Sequence, residues 1–184
     1  YMHCILATLF TKILQNGSAP SAWSESIVKL IHKKGPTDAP ENFRMIALTN
    51  CMGKIFHLIL PARITKYLTS NNLIDKTMQK GFMPGINGCI EHNYIMDEII
   101  KNAKSNKRTA HITFFDLADA FGSVPHKLIS TALSRNGIPE TIQDYVRNQY
   151  LNSSATVMTK QFRSNVFIFK RGVMTGDQGR TVGG

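Results

Sequence analysis

The spacing of apolar positions along the chain predicts a series of short helices and strands. Between residues 2 and 14, apolar side chains recur at the three- and four-residue intervals of one helix face, and Gly17 ends that helix. Residues 26–32 are dense in isoleucine and valine, which favours a strand. Residues 44–48 predict a second strand, joined to the first as a hairpin by the turn Lys-Lys-Gly-Pro at 33–36.

The rest of the chain continues this mixture of helices and strands. Asn50 caps a helix that is bent or restarted at Pro61 and runs to about residue 68. Residues 70–88 are rich in Asn, Gly and Met and predict an ordered, irregular loop. The remaining predictions are helices over 89–104, 125–137 and 139–150, a buried strand over 110–115, and a hairpin of 155–160 with 165–170. No repeat or linker divides the chain, so we expect one α+β domain.

The amino-acid composition indicates which kinds of partner and cellular setting to consider. Lys and Arg outnumber Asp and Glu by 22 to 12, giving a net charge of +10, so nucleic acid is the first partner to consider and an anionic membrane the second. The three cysteines are far apart, which indicates reduced thiols and an intracellular setting. No apolar run approaches the roughly 20 residues of a membrane span. The first residues do not resemble a signal peptide, and the lack of an initiator Met with a Gly-rich end indicates a piece of a longer chain.

Asp116 directly follows the predicted strand 110–115, which would place its carboxylate at the rim of a sheet. There it could bind a divalent metal, with the neighbouring Leu117 adding a backbone carbonyl oxygen. Alternatively, Asp116 only caps the next helical turn. Asp119, three residues later, would point elsewhere on a turn. One reaction that such a metal could serve is the transfer of a nucleotidyl group. That reaction uses two metal ions about 4 Å apart, and one carboxylate is not enough to hold both.

Three further positions could contact a nucleotide. Arg44 would face Lys33 or Lys34 across the first hairpin, where a guanidinium can bind phosphate oxygens with two hydrogen bonds. Basic residues are also common at hairpin tips without any ligand. Phe121 could lie under the sugar of a nucleotide and exclude a 2′-hydroxyl, or it could simply fill the core.

Other chemistries find little support in the sequence. There is no phosphate loop of the Gly-x-x-x-x-Gly-Lys-Ser/Thr type and no Gly-x-Ser-x-Gly elbow. His92, His111 and His126 lack the spacing that would place two of them on one metal ion. His126, next to Pro125, is interpreted as the start of a helix.

Taken together and in order, several blocks resemble the reverse transcriptase of a non-LTR (LINE-type) retrotransposon, most closely the site-specific clade with a restriction-like endonuclease. The blocks that carry this resemblance are residues 23–34 with 42–50 and 54–56, then 79–82 and 88–93, then 115–126 (Phe-Asp-Leu-Ala-Asp-Ala-Phe-Gly-Ser-Val-Pro-His), and finally 170–173 (Lys-Arg-Gly-Val). They span nearly the whole chain, and their common order is more specific than any one of them.

The resemblance implies a right-hand polymerase fold, with fingers over about 1–109 and an incomplete palm over about 110–184, lacking the second catalytic hairpin and the thumb. It implies that Asp116 and Leu117 bind Mg²⁺ (or Mn²⁺) and that Phe121 discriminates the sugar. Arg44, with Lys33, Lys34, Asp119 and Gly176 as further candidates, would contact the incoming nucleotide. RNA template, DNA primer and dNTPs are the implied partners, without a membrane and with an unassigned oligomeric state. The parent element would work in the nucleus, and otherwise the protein is expected in the cytoplasm.

The chain departs from the family pattern near its end. Thr175 replaces a Gln that helps to seat the template base, and no aromatic-x-Asp-Asp block occurs among the 184 residues. We therefore expect that this polypeptide alone makes no DNA. Two alternatives stay open: a decayed element remnant without activity, and an RNA-binding module that has dropped catalysis. We also expect exposed strand edges, marginal stability and aggregation.

Overall fold

The computed structural model describes residues 1–117 and 119–173. Its helices are α1 (Met2–Asn16), α2 (Cys51–Ser70), α3 (Gly88–Ser105), α4 (His126–Arg135) and α5 (Glu140–Leu151). Its strands are β1 (Glu25–His32), β2 (Phe43–Leu48), β3 (Ser154–Val157) and β4 (Phe167–Ile168). The predicted α+β class is thus confirmed at the level of a mixed fold with a small sheet. Among the described residues, no helix combines the length and hydropathy needed to cross a bilayer.

The four strands form one sheet in the order β2-β1-β3-β4. β1 and β2 are antiparallel, from the pair Ile27–Leu48 to the pair His32–Phe43, so the first predicted hairpin is confirmed. β3 lies parallel to the other edge of β1, and β4 pairs antiparallel with β3, which confirms the terminal hairpin in a shorter form. The sequence did not predict the parallel contact, because strand order is decided by tertiary packing.

Aromatic side chains hold α1, α2 and α5 together. Phe10 of α1 lies 5.1 Å from Phe56 of α2, and Phe56 lies 4.9 Å from Tyr145 of α5, measured between ring centroids. Trp23 covers the same cluster and also lies against Gly53, where an added Cβ would come within 3.2 Å of the indole. These rings bury large apolar areas and prefer such tilted and edge-on contacts. The core therefore sits between the helices, beside the sheet.

Helix boundaries follow local chemistry. Asn50 caps α2 by accepting hydrogen bonds from the N–H groups of Met52 and Gly53, as predicted. Pro61 lies inside α2, yet the helix continues without a restart to Ser70. Gly137, with φ of +67°, follows the end of α4. No regular element occupies 71–87, in agreement with the predicted loop.

The prediction of a buried strand over 110–115 is wrong. Residues 110–117 have no regular secondary structure, and their side chains are exposed, Phe115 by 94% and Phe114 by 78%. β-branched and aromatic residues favour a strand only where a neighbouring strand supplies hydrogen bonds and packing. Within the described part of the chain, this segment pairs with none of the four strands.

Candidate functional site

Asp116 lies on the exposed, irregular segment between α3 and α4. The expected position at the rim of the sheet is therefore not formed. Its carboxylate and the carbonyl of Leu117 are oxygen donors, the ligands that Mg²⁺ prefers, and Mg²⁺ commonly keeps several waters beside one or two carboxylates. In donor type, these two oxygens suit one such ion. Across residues 1–117 and 119–173, no group of three His, Cys, Asp or Glu side chains could hold a metal ion.

Asp119 begins a tight turn beyond Asp116. Its φ of +48° is unusual for a residue with a side chain, and its carbonyl accepts the N–H of Ser123 at 3.0 Å. The carboxylate of Asp119 occupies the place where a Cβ on Gly122 would project. It points back into its own turn.

Phe121 lies in the same turn and is 42% exposed, so it is not a buried core residue. Its ring meets the ring of Phe82 edge to face, with centroids 6.3 Å apart and planes at 86°. Phe82 belongs to the irregular loop 71–87 and has a φ of +59°. Two of the blocks singled out in the sequence therefore meet through these two rings.

A third block reaches the same turn through its backbone. The N–H of Gly172 donates to the carbonyl of Val124, and the N–H of Val173 donates to the carbonyl of Phe121, both at 2.8 Å. Gly172 is buried with a φ of +88°, and a Cβ there would lie 2.8 Å from the carbonyl oxygen of Gly122. Only glycine allows this close approach without strain.

His126 completes this contact, a role that the sequence did not indicate. It does begin α4, as predicted, and its Nε2 also lies 3.0 Å from the carbonyl oxygen of Gly172. Its ring stacks on Tyr150 of α5, with centroids 4.5 Å apart and planes at 31°. Burial raises the pKa of the Tyr150 phenol above its usual value of 10.0. The sequence gave no indication of this contact, since 46 positions separate His126 from Gly172.

The basic candidates lie on the first hairpin. Arg44 faces Ile31 in the β1–β2 register, and the N–H of Lys33 donates to the carbonyl of Asn42 at 2.7 Å. Lys33 is thus two positions along from Ile31, on the side of the ribbon that carries Arg44. Both side chains and that of Lys34 are exposed. The hairpin therefore brings these cations to one end of the sheet.

Within the described residues, no hydrogen bond, ion pair or ring contact joins this basic end to Asp116 or Phe121. The structure thus forms two groups of candidates, one on the hairpin and one around the turn 119–123. Gly176 and Thr175 lie outside the described residues, as does the rest of the departure from the family pattern.

Comparison with known proteins decides the family. The model of the family described as reverse transcriptase (RNA-dependent DNA polymerase) matches residues 31–178. The chain belongs to the reverse transcriptase family. The matched range contains Lys33, Lys34, Arg44, Asp116 and Phe121, and it also includes the segment 170–173.

The relatives of this chain are proteins of retrotransposable elements. The chain is 27% identical over 165 residues to the Retrovirus-related Pol polyprotein of the type-1 element R2 from Popillia japonica, covering 89% of the chain and 22% of the relative. It is 29% identical over 172 residues to the corresponding R2 polyprotein of Nasonia vitripennis, covering 94% and 16%. It is 31% identical over 123 residues to the RNA-directed DNA polymerase from the mobile element jockey of Drosophila melanogaster, covering 66% and 13%.

These matches confirm the resemblance to non-LTR retrotransposon reverse transcriptases. The chain spans between 13% and 22% of the length of these relatives, so it corresponds to one part of them. The division into fingers and palm, and the roles of single residues, belong to the proposal that follows.

Proposed function

We propose that the chain carries part of the nucleotide-binding site of a polymerase that extends a DNA primer on an RNA template. The observation that supports this most is the meeting of Phe82, Phe121 and Val173, because they come from three separate blocks of the family-matched range. In this proposal residues up to about 109 belong to the fingers, and the following residues belong to the palm.

Asp116 would bind one Mg²⁺ (or Mn²⁺) through its exposed carboxylate, with the carbonyl of Leu117 as a second ligand. The bound ion would supply positive charge against the phosphates of the incoming dNTP. Arg44 would bind phosphate oxygens with two parallel hydrogen bonds, while Lys33 and Lys34 would add point charges beside it. The open hairpin end leaves these three cations accessible to a triphosphate.

Phe121 would exclude ribonucleotides. Its ring is 42% exposed and meets the ring of Phe82 edge to face, and in this proposal a sugar would lie against the exposed face of the Phe121 ring. A 2′-hydroxyl lying against that face would collide with the ring, whereas a deoxyribose would fit. Asp119 and Gly176 remain candidates for further contacts with the nucleotide.

Primer extension tests the proposal. We expect the 184-residue chain to make no DNA with an RNA template, dNTPs and Mg²⁺, because its sequence contains no second acidic block of the aromatic-x-Asp-Asp type. The complete reading frame of the gene should make DNA, and Asp116→Ala should abolish that synthesis. Asp97→Ala, which removes an exposed carboxylate on α3, is the matched control. Asp116-dependent synthesis by the 184-residue chain alone, or synthesis by the complete protein that survives Asp116→Ala, would contradict the assignment.

A second candidate function is binding of RNA without catalysis, since the net charge of +10 favours binding to a polyanion. If the chain is only an RNA-binding module, it should bind RNA in a salt-sensitive manner that Asp116→Ala leaves unchanged, and it should show no Mg²⁺-dependent binding of dNTPs. If it is part of the polymerase, Asp116→Ala should remove Mg²⁺-dependent dNTP binding. A premature stop directly downstream in the gene would instead support an inactive remnant.

A further inference from the structure

We propose that His126 is a positioning residue for sugar discrimination, acting on Phe121 through the segment Gly172–Val173 without touching the nucleotide. This inference rests on the proposed function and adds a residue to it. Its basis is a continuous set of contacts that runs from the helical core to the backbone of Phe121.

The first contact joins His126 to Gly172. A carbonyl oxygen can only accept a hydrogen bond, so at 3.0 Å the Nε2 atom of His126 must carry the proton that is donated to Gly172. Gly172 is buried, and its N–H is already bound to the carbonyl of Val124. The short stretch 124–126 thus satisfies both backbone polar groups of Gly172. A buried carbonyl that lost this donor would carry a desolvation cost.

The second contact joins Val173 to Phe121. The N–H of Val173 donates to the carbonyl of Phe121 at 2.8 Å, one residue after the glycine that His126 holds. The two backbones also pass close to each other, because a Cβ added to Gly172 would lie 2.8 Å from the carbonyl oxygen of Gly122. A shift of the segment 172–173 would therefore shift the backbone of Phe121 with it.

His126 is itself anchored. Its ring stacks on Tyr150, and Tyr150 belongs to the helix that contributes Tyr145 to the aromatic core. The side chain of Phe121 is 42% exposed, and its ring meets the ring of Phe82 edge to face. The backbone contacts that lead back to His126 therefore link the position of Phe121 to the helical core.

Two variants separate the parts of the His126 side chain. His126→Phe keeps a ring that can stack on Tyr150 but removes the donor. His126→Gln keeps an N–H donor near the position of Nε2 but removes the ring. His3→Phe, at an exposed position of α1, is the control for the substitution itself.

Amide hydrogen exchange in the 184-residue chain tests the contact directly. We expect His126→Phe to lower the protection of the Val173 amide two- to tenfold, about the worth of one hydrogen bond. Protection of Val28 in β1 should not change, and His126→Gln should restore much of the protection of Val173. Unchanged protection of Val173 would overturn the inference, as would an equal loss at Val28, because that would indicate general unfolding.

Nucleotide selectivity in the complete protein tests the consequence. In His126→Phe, the preference for dNTP over rNTP, measured as the ratio of the two kcat/KM values, should fall on the order of two- to tenfold. His126→Gln and His3→Phe should keep most of the preference. A merely structural role would lower both kcat/KM values equally, and that result would overturn the inference. A complete protein that makes no DNA would overturn the proposed function together with this selectivity claim, whereas the exchange experiment judges the His126 contact by itself.

Discussion

The carboxylate of Asp119 lies where the side chain of residue 122 would begin, and Gly122 leaves that place free. The backbone of Gly122 also lies close to Gly172, where an added Cβ would come within 2.8 Å of the carbonyl oxygen of Gly122. The turn after Asp116 is therefore compact because two glycines, 50 positions apart in the sequence, meet in it.

Gly172→Ala should destabilise the chain by about 2 kcal/mol or more, because the new Cβ meets backbone atoms and the φ of +88° disfavours alanine. Gly85→Ala is the matched control, since Gly85 also has a positive φ (+71°) but nothing lies within 4 Å of its added Cβ. The control should cost only about 1 kcal/mol. Urea unfolding of both variants measures the difference, and equal losses would show that the close contact with Gly122 is absent in solution.

Phe56→Ala should lower the free energy of unfolding by about 3–5 kcal/mol, because Phe56 is only 2% exposed and contacts three other aromatic rings in the core. Phe115→Ala removes the same group from a side chain that is 94% exposed, so it should change stability by less than about 0.5 kcal/mol. Denaturant titrations of the two variants provide the comparison. A large loss in Phe115→Ala would mean that the segment 110–117 packs as the buried strand expected from the sequence.

Replacing Phe114 and Phe115 together by serine should raise the concentration at which the chain aggregates. Both rings are exposed on an irregular segment, together with Leu117, and contiguous apolar surface of this kind promotes association. Light scattering over a concentration series measures the effect. A double Tyr1→Ser and Met2→Ser variant, which removes exposed apolar side chains at the start of the chain, is the control. Equal improvement in the control would count against a specific role of the segment 110–117.

Stability should fall as the pH rises above about 10, in part because of Tyr150. Burial raises the pKa of this phenol in the folded state, so the unfolded chain loses the proton first and is favoured at alkaline pH. Below the unfolded pKa both states are protonated and Tyr150 contributes no pH dependence. Unfolding experiments at pH 8 and at about pH 10.5 should show a smaller decline for Tyr150→Phe than for the original chain. An identical decline would mean that the Tyr150 phenol is exposed to water.

Local patterns in the sequence predicted much of the fold. The helices and the first hairpin have periodicities, caps and turn residues that act over a few positions, and Asn50 and Gly137 mark boundaries where the structure has them. The strand expected before Asp116 did not form, because a strand depends on a distant partner that local propensity does not specify. The sequence likewise contained no indication that His126 would bind Gly172.

The candidate site shows the same division. Arg44 and Lys33 could be placed together from the sequence, because a hairpin register is a local property. The contact between Phe121 and Phe82 joins an irregular loop to a turn, and irregular backbone follows no period that could be extrapolated. Family resemblance identified both regions as blocks shared with the family, but it did not predict the contact between them.

The parallel alignment of β1 with β3 has a consequence for how the protein is made. The hydroxyl of Ser26 in β1 donates to the carbonyl of Ser154 in β3, 128 residues later. The β1–β2 hairpin is therefore synthesised long before β3 can cover the second edge of β1. During that interval the unpaired edge of β1 can pair with a strand of a neighbouring nascent chain instead of with β3. The yield of soluble protein should therefore depend on how soon β3 is translated. Slower translation should lower the yield, whereas chaperones that cover the unpaired edge of β1 should raise it.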